Sequence, residues 1–213
     1  MSATIEDIKH YAEQCLSKGN GSHAWEHTQR VHNLCTHIGH AEGADQEVLE
    51  LAAYLHDIGR LYQDKSKGTV CHAEKGAEMA QELLEHYPLS VKQKINVLHC
   101  IRSHRFRGNA HPETLEAKVL FDADKLDAIG AIGIARAFQF AGEIGAKFHN
   151  PAVKPEHTQP YTEEDTGYRE FRVKLRKIKD RMLTPEGRRM AEERHVFMEA
   201  FFERFLKEHE GIQ

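Results

Sequence analysis

The sequence predicts an all-α fold on three observations. Apolar residues recur at three- and four-residue spacing along almost the whole chain, which is the spacing of one helix face. No stretch keeps the period-two alternation that is typical of a strand packed on one side. With 40% hydrophobic and 29% charged residues, the composition is that of a globular protein and not of a disordered one. We therefore expect packed helices.

The N-terminal third of the chain predicts three helices. The first begins near Thr4 and stops at residues 18–21, which read KGNG. The second ends near Gly43, and Asp45 is a suitable N-cap for the third, because its side chain can accept hydrogen bonds from a helix start. The third ends at Gly59. The apolar stripes of the three are, in order, Ile5, Ile8, Ala12 and Cys15; Val31, Leu34, Cys35 and Ile38; and Val48, Leu51, Ala52 and Leu55.

Two more helices follow a predicted polar loop at residues 64–69. The fourth helix covers about 72–86 and stops before Pro88, which cannot continue it. Ser90 and Gln93 have the spacing of a capping box, so they predict the start of the fifth helix.

The C-terminal half predicts longer elements and one irregular region. A sixth helix begins near Thr114 and runs into a glycine-interrupted apolar segment, 129–140. A basic helix is predicted over about 168–182, and Thr184 with Pro185 gives an N-cap and a first-turn proline for the last helix. The aromatic stripe of that last helix predicts core packing.

The length favours one domain, because chains carry about 150 residues per domain and 213 residues leave room for one domain with an extension. We predict a single domain over 1–213, with a core over about 21–140 and C-terminal helices over about 168–209. The region between them, about 142–167, holds three of the six prolines and little periodicity. We expect it to be an irregular insertion.

The charge balance argues against nucleic acid as a partner. The net charge is −4, whereas binding a phosphate backbone needs a broad positive field. The basic segment 168–182 leaves RNA binding as an alternative, but nearby acidic residues favour a solvated helix face. The longest uncharged apolar stretch has eight residues, far below the roughly 20 of a membrane span. The charged N-terminus and four cysteines without a CxxC pair predict a cytoplasmic protein with reduced thiols.

The 16 histidines justify a search for metal-ligand spacing. Three phrases stand out: HTQRV at 27–31, LHDIG at 55–59 and DADKLD at 122–127. Taken alone, the His-Asp pair is typical of a capping or solvated pair, and His27 of a hydrogen-bonded buried histidine. The three acids of the last phrase are costly to bury unless a cation or basic partners neutralise them. The residues alone therefore leave both interpretations open.

Together, in this order, the phrases resemble the HD superfamily of metal-dependent phosphohydrolases, whose signature is a His, a His-Asp doublet and a distant Asp. The resemblance covers about 21–136 and 174–208 and is most specific over 122–136, DADKLDAIGAIGIAR. The chain looks like the small single-domain bacterial branch of the superfamily. The resemblance implies an HD-domain helical bundle with an irregular insertion and C-terminal helices.

The resemblance also implies the ligands of one divalent ion. Asp124 is preferred to Asp122 because the family ligand precedes a basic residue and a leucine, which here are Lys125 and Leu126. Two imidazoles and two carboxylates suit a borderline or hard ion. We expect manganese, with magnesium, cobalt, nickel, iron and zinc as alternatives. The implied metal ligands are His27, His56, Asp57 and Asp124.

Asp57 is the expected catalytic residue, because a ligand carboxylate is placed to orient or deprotonate a water whose pKa a bound ion lowers from 15.7 to about 7. Loop cations such as Arg60 and Arg105 are weaker candidates for a role, since loop charges usually face solvent. The residues expected to bind the substrate phosphate or to support the ligands are Arg30, His72, His104, Asp122, Lys125 and Asp127.

The function implied by the resemblance is metal-dependent hydrolysis of a small phosphorylated substrate, expected to be a nucleotide. The enzyme would be a nucleotidase or a nucleoside triphosphate pyrophosphohydrolase, and the sequence does not separate phosphate release from pyrophosphate release. A two-metal phosphodiesterase is one alternative, and it requires His72 and His104 as ligands of a second ion. A non-catalytic nucleotide sensor that keeps the same pocket is the other. The sequence predicts no oligomeric state.

Overall fold

The structure is a computed structural model that describes residues 3–17, 25–105 and 110–212. Within these ranges the regular elements are helices and no strand occurs, which confirms the predicted all-α fold. The predicted end of the first helix at 18–21 lies outside the described residues. The α-helices are α1 (Ala3–Leu16), α2 (Trp25–Glu42), α3 (Gln46–Leu55), α4 (Arg60–Lys65), α5 (His72–Leu84), α6 (Val91–Ser103), α7 (Leu115–Leu126), α8 (Gly130–Glu143), α9 (Gly167–Val173) and α10 (Pro185–His209).

The chain divides into two compact units, Met1–Asp124 and Lys125–Gln213. The first contains α1 to α6 and most of α7, and the second contains α8 to α10. The single domain with a core over about 21–140 that the sequence predicts stays a prediction. In the part of the chain that is described, no helix is long and apolar enough to cross a membrane.

Both predicted helix caps of the first unit are present. The Asp45 carboxylate accepts hydrogen bonds from the backbone N–H groups of Glu47 and Val48, at 3.0 and 3.2 Å. Ser90 and Gln93 form the reciprocal capping box at the start of α6. These side chains satisfy N–H groups that have no partner within the helix, so both helices begin where the sequence predicts. The predicted core stripes are buried except for Cys15, which is half-buried, and Val31, Ile38, Leu51 and Leu55 are fully buried.

The third helix ends earlier than predicted, at Leu55, and α4 occupies residues that the sequence assigned partly to a polar loop at 64–69. The reason is the close approach of Gly59 to α5. A Cβ atom at Gly59 would lie 2.3 Å from the carbonyl oxygen of His72 and 2.6 Å from the backbone nitrogen of Gly76. The chain turns sharply here to pass α5, and only glycine leaves room for that contact.

The predicted sixth helix is wrong in one respect, because it is two helices. α7 ends at Leu126, and α8 begins at Gly130, whose φ of 78° is in the left-handed region that glycine adopts without strain.

The predicted basic helix over 168–182 is also divided. Lys174, with φ −132°, ends α9, and two short 3₁₀ turns follow at 175–177 and 179–181. Phe171, Leu175, Ile178 and Met182 of this segment are buried without a continuous helix.

The insertion is irregular between α8 and α9 apart from one 3₁₀ turn at Pro155–His157. Arg169 of α9 is buried and holds the insertion in place through hydrogen bonds to two of its residues. Its guanidinium donates to Asp165 Oδ1 at 2.7 Å, to Thr158 Oγ1 at 2.6 Å and to the Thr158 carbonyl at 3.1 Å. Since the Asp165 carboxylate is itself buried, this ion pair stabilises one conformation of the insertion.

Candidate metal centre

Histidine and aspartate side chains from five helices meet inside the first unit. Each lies at or near a helix end, where the chain enters or leaves the bundle. All of them are buried except Asp124, whose side chain is 21% exposed. Burying imidazoles and carboxylates together is costly unless they bind a partner. They are His27 in the first turn of α2, His56 and Asp57 directly after α3, His72 at the start of α5, His104 directly after α6, and Asp124 in the last turn of α7.

Three of these side chains form what we call the first cluster: His27, His56 and Asp124. The Nε2 atom of His27 lies 3.3 Å from Asp124 Oδ1 and 3.3 Å from His56 Nε2. One ligand atom from each residue lies within 4.8 Å of the other two. This spacing is small enough for one ion to contact all three.

The second cluster consists of Asp57, His72 and His104, also within 4.8 Å of one another. Asp57 Oδ1 lies 3.3 Å from His72 Nε2 and 3.7 Å from His104 Nε2. The other oxygen of the same carboxylate, Oδ2, lies 3.9 Å from His27 Nε2 and 3.8 Å from His56 Nε2. Asp57 therefore stands between the clusters and presents one oxygen to each.

The hydrogen bonds of the histidines show which ring atom faces the centre. In each of three histidines Nδ1 bonds to a carbonyl oxygen, which can only accept, so Nδ1 carries the proton and Nε2 keeps its lone pair. His56 and His104 do this identically, each bonding back to a carbonyl at the end of the preceding helix. The bonds are His56 to Ala53 at 2.7 Å, His72 to the Gln63 side chain at 2.8 Å, and His104 to Ile101 at 2.6 Å.

This donor set fits a divalent cation. In the second cluster, the lone pairs of His72 Nε2, His104 Nε2 and Asp57 Oδ1 face one another at 3.1 to 3.7 Å, and they repel unless a cation lies between them. The carbonyl partners of Nδ1 are the outer contacts that metal-binding histidines usually make. Nitrogen and oxygen ligands without a thiolate suit manganese, iron, cobalt, nickel, zinc or magnesium.

Arg60, at the start of α4, bonds the central carboxylate. Its Nη2 atom lies 3.1 Å from both oxygens of Asp57. The expectation that this cation faces solvent is wrong, since its side chain is only 18% exposed. Burial by itself raises the pKa of the Asp57 carboxyl, but His56, Arg60 and the second-cluster histidines outweigh it and hold that pKa well below its usual range.

Two histidines of the centre, His56 and His72, are neutral at neutral pH. Burial is the main cause: it lowers the pKa of His56, and it lowers the pKa of His72 to about 3, with Arg60 acting in the same direction. Neutral imidazole is the form that binds a metal ion.

The metal-free protein is expected to lose stability as the pH falls from 7 to 5. His72 titrates at about 3 when folded and near 6.5 when unfolded, so between these values the unfolded chain binds more protons. This single group contributes a loss of about 2 kcal/mol over that range. Urea unfolding of chelator-treated protein measures it. A His72→Gln variant should lose less stability over the same range, and an equal loss in both would contradict the assignment.

The other residues predicted from the sequence lie in different places. Asp122 is fully buried in the first unit. Arg30 lines a surface cavity of about 540 Å³ formed by α1, α2 and α3. Lys125 and Asp127 belong to the second unit, where Asp127 accepts a hydrogen bond from Arg136 at 2.6 Å. Their roles in substrate binding stay predictions, as does the assignment of the metal ligands.

Sequence reasoning missed Gln63, whose side-chain oxygen accepts from His72 Nδ1 at 2.8 Å. It underrated Arg60, because this residue follows the predicted end of the third helix at Gly59 and was interpreted as a loop cation. One signal was available: Arg60 is three residues after Asp57, the spacing of neighbours on a helical turn. No local pattern connects Gln63 with His72, nine residues further on.

Comparison with known proteins decides the family. The model of the HD domain family matches residues 24–129, which include both clusters. The uncharacterized protein YpgQ of Bacillus subtilis is 36% identical over 97% of this chain and 94% of its own length. The chain belongs to the HD superfamily. The resemblance found from the sequence phrases is thereby confirmed.

Solved HD structures have the same fold. An HD-superfamily hydrolase from Bacillus thuringiensis is 32% identical, with a TM-score of 0.77 and coverage of 97% of this chain and 96% of that one. Bacillus subtilis YpgQ, solved in complex with ADP, is 30% identical, with a TM-score of 0.75 and coverage of 98% and 100%. These matches extend over both units of the HD protein, and not only over the segment that the family model matches.

Proposed function

We propose that this HD protein is a divalent-metal-dependent phosphohydrolase that cleaves a phosphate ester or anhydride of a nucleotide. The observation that carries the proposal is the buried convergence of histidine and aspartate ligand atoms from five helices. The complex of YpgQ with ADP supports a nucleotide as the substrate class. Both a nucleotidase and a nucleoside triphosphate pyrophosphohydrolase agree with this site.

His27, His56, Asp57 and Asp124 would hold the ion, for which we propose manganese. A divalent ion, when bound, supplies a Lewis acid for a phosphoryl oxygen and lowers the pKa of a water molecule. The protein contributes rigid placement, because carbonyl groups hold the histidine rings with Nε2 towards the centre. Burial excludes bulk water and strengthens every charge interaction at the site.

Asp57 is the proposed catalytic residue. Its carboxylate is anionic because its pKa is held low, so it acts mainly by accepting a hydrogen bond and orienting the attacking water. The water oxygen forms a new bond to phosphorus, and the bond from phosphorus to the leaving oxygen breaks. The leaving group is a nucleoside or nucleotide when phosphate or pyrophosphate is the other product.

A nucleotide panel with controlled metal content tests the proposal. Chelator-treated protein should be inactive, and manganese should restore hydrolysis of at least one nucleoside mono- or triphosphate. Phosphate and pyrophosphate are scored separately, so the product distinguishes the nucleotidase from the pyrophosphohydrolase. Hydrolysis that persists in chelator, or no hydrolysis of any nucleotide with any divalent metal, would overturn the proposal. The second of these results, with nucleotide binding retained, would favour the sensor.

The second cluster favours one other candidate, a two-metal phosphodiesterase. Asp57 Oδ1 with the Nε2 atoms of His72 and His104 forms a second set of convergent ligand atoms beside the first. Paired ions suit phosphodiester cleavage because they stabilise the attacking and the leaving oxygen together. Cleavage of cyclic nucleotides that rises with a second equivalent of bound metal would support this candidate over the first.

A further inference from the structure

The Arg60 guanidinium sits on the one carboxylate that the two clusters share. Its Nη2 atom is 3.1 Å from Asp57 Oδ1, the oxygen that also faces His72 and His104. Among the residues that the structure describes, the Arg60 side chain hydrogen-bonds Asp57 alone. Its Nε atom is buried and has no hydrogen-bond partner there. Asp57 therefore holds the arginine at the centre.

The second cluster needs a positive charge. The Nε2 atoms of His72 and His104 lie 3.1 Å apart, and the Nδ1 atoms of both rings already donate to carbonyl oxygens. Two imidazole lone pairs and Asp57 Oδ1 thus face one another at close range. Such a group is stable only near a cation, and the Arg60 guanidinium, bonded to Asp57 Oδ1 at 3.1 Å, supplies one.

We infer that Arg60 takes the place of a second metal ion and limits the centre to one divalent cation. A guanidinium on Asp57 neutralises the carboxylate and repels a further cation within a few ångströms. This inference rests on the proposed function, and it assigns Arg60 as the residue that decides between its two candidates. With Arg60 in place, the HD protein is a one-metal phosphohydrolase. Without Arg60, the second cluster binds a second divalent ion.

Gln63 supports the same arrangement from one turn further along α4. Its side-chain oxygen fixes the tautomer and the direction of His72, so the second cluster is already shaped to bind an ion. The short helix α4 therefore both orients the second cluster and supplies the charge that occupies it. Removing the charge without disturbing Gln63 isolates the role of Arg60.

The test counts bound manganese by elemental analysis and titration calorimetry on the full chain. The wild type is expected to bind one ion. Arg60→Met keeps the length of the side chain without its charge and is expected to bind two, with affinity for the second ion raised at least about tenfold. Arg60→Lys keeps the charge and is expected to bind one. Arg102→Met is the matched control, since the Arg102 side chain is half-buried like that of Arg60 and its Nε atom faces the Glu74 carboxylate at 3.7 Å.

Adding His104→Ala to Arg60→Met should return the count to one, because it removes a ligand of the second cluster only. A wild type that binds two ions overturns the inference without any variant, so poor folding of Arg60→Met does not prevent a decision. One ion in both the wild type and folded Arg60→Met also overturns it, while leaving the one-metal phosphohydrolase intact. No bound ion in the wild type overturns the proposed function itself.

Discussion

Replacing Asp57 by alanine is expected to lower kcat/KM by about 1000-fold or more and to remove the tightly bound divalent ion. Asp57 is the residue whose two oxygens face both clusters, at 3.8 Å from His56 Nε2 and 3.3 Å from His72 Nε2. Asp57→Asn should show nearly the same loss, since it keeps the shape and removes the charge. Metal content and single-turnover hydrolysis are measured on the same preparations.

Asp64→Ala is the matched control, because Asp64 is an exposed aspartate on α4. It should keep the wild-type rate and metal content. An Asp57→Ala protein that retained stoichiometric metal and wild-type hydrolysis would place the active site elsewhere.

Gly59→Ala is expected to destabilise the protein by about 3 kcal/mol, at the upper end of the range for overpacked sites. The added Cβ would lie 2.3 Å from the His72 carbonyl oxygen and 2.6 Å from the Gly76 nitrogen. Both are backbone atoms of α5, so no side chain can turn aside to make room. Because His72 belongs to the second cluster, a shift of α5 should also move its ring. Urea unfolding measures the loss of stability.

Gly142→Ala serves as the comparison. Gly142 lies inside α8, and a Cβ there would meet no atom within 4 Å. This change should leave the stability unchanged or raise it by about 0.5 to 1 kcal/mol, because alanine favours helix over glycine. Similar unfolding curves for Gly59→Ala and Gly142→Ala would show that the approach of Gly59 to α5 is looser than the structure indicates.

The sequence predicted much of the centre, although not its internal arrangement. Three phrases in a fixed order singled out His27, the His-Asp pair and Asp124, and the structure brings them together. The division of these residues into two clusters was not predictable. The sequence places Asp57 beside His56 but does not indicate which histidines each oxygen of Asp57 faces. Arg60 was underrated because it follows the predicted helix end at Gly59 and was interpreted as a loop cation, and such cations usually face solvent.

The breaks in the helices show the same limit. The spacing of apolar residues runs through Gly130 and through Lys174 without interruption, and so it predicted one helix at each place. The left-handed φ of Gly130 and the non-helical backbone of Lys174, with φ −132° and ψ −60°, interrupt those helices in the structure. Periodicity reports which side of a helix is buried and does not report where the backbone changes direction.

The sequence by itself determined the helical fold, the caps at Asp45 and Ser90 and the family, because each depends on residues that are near one another along the chain or that follow a fixed order. Only the tertiary structure decided that Asp57 lies between two clusters and that the Arg60 guanidinium is hydrogen-bonded to its carboxylate. Those distances depend on how five helix ends meet, and that is set by contacts between distant segments, such as the passage of Gly59 against α5. Such contacts leave no repeating pattern in the residues that make them.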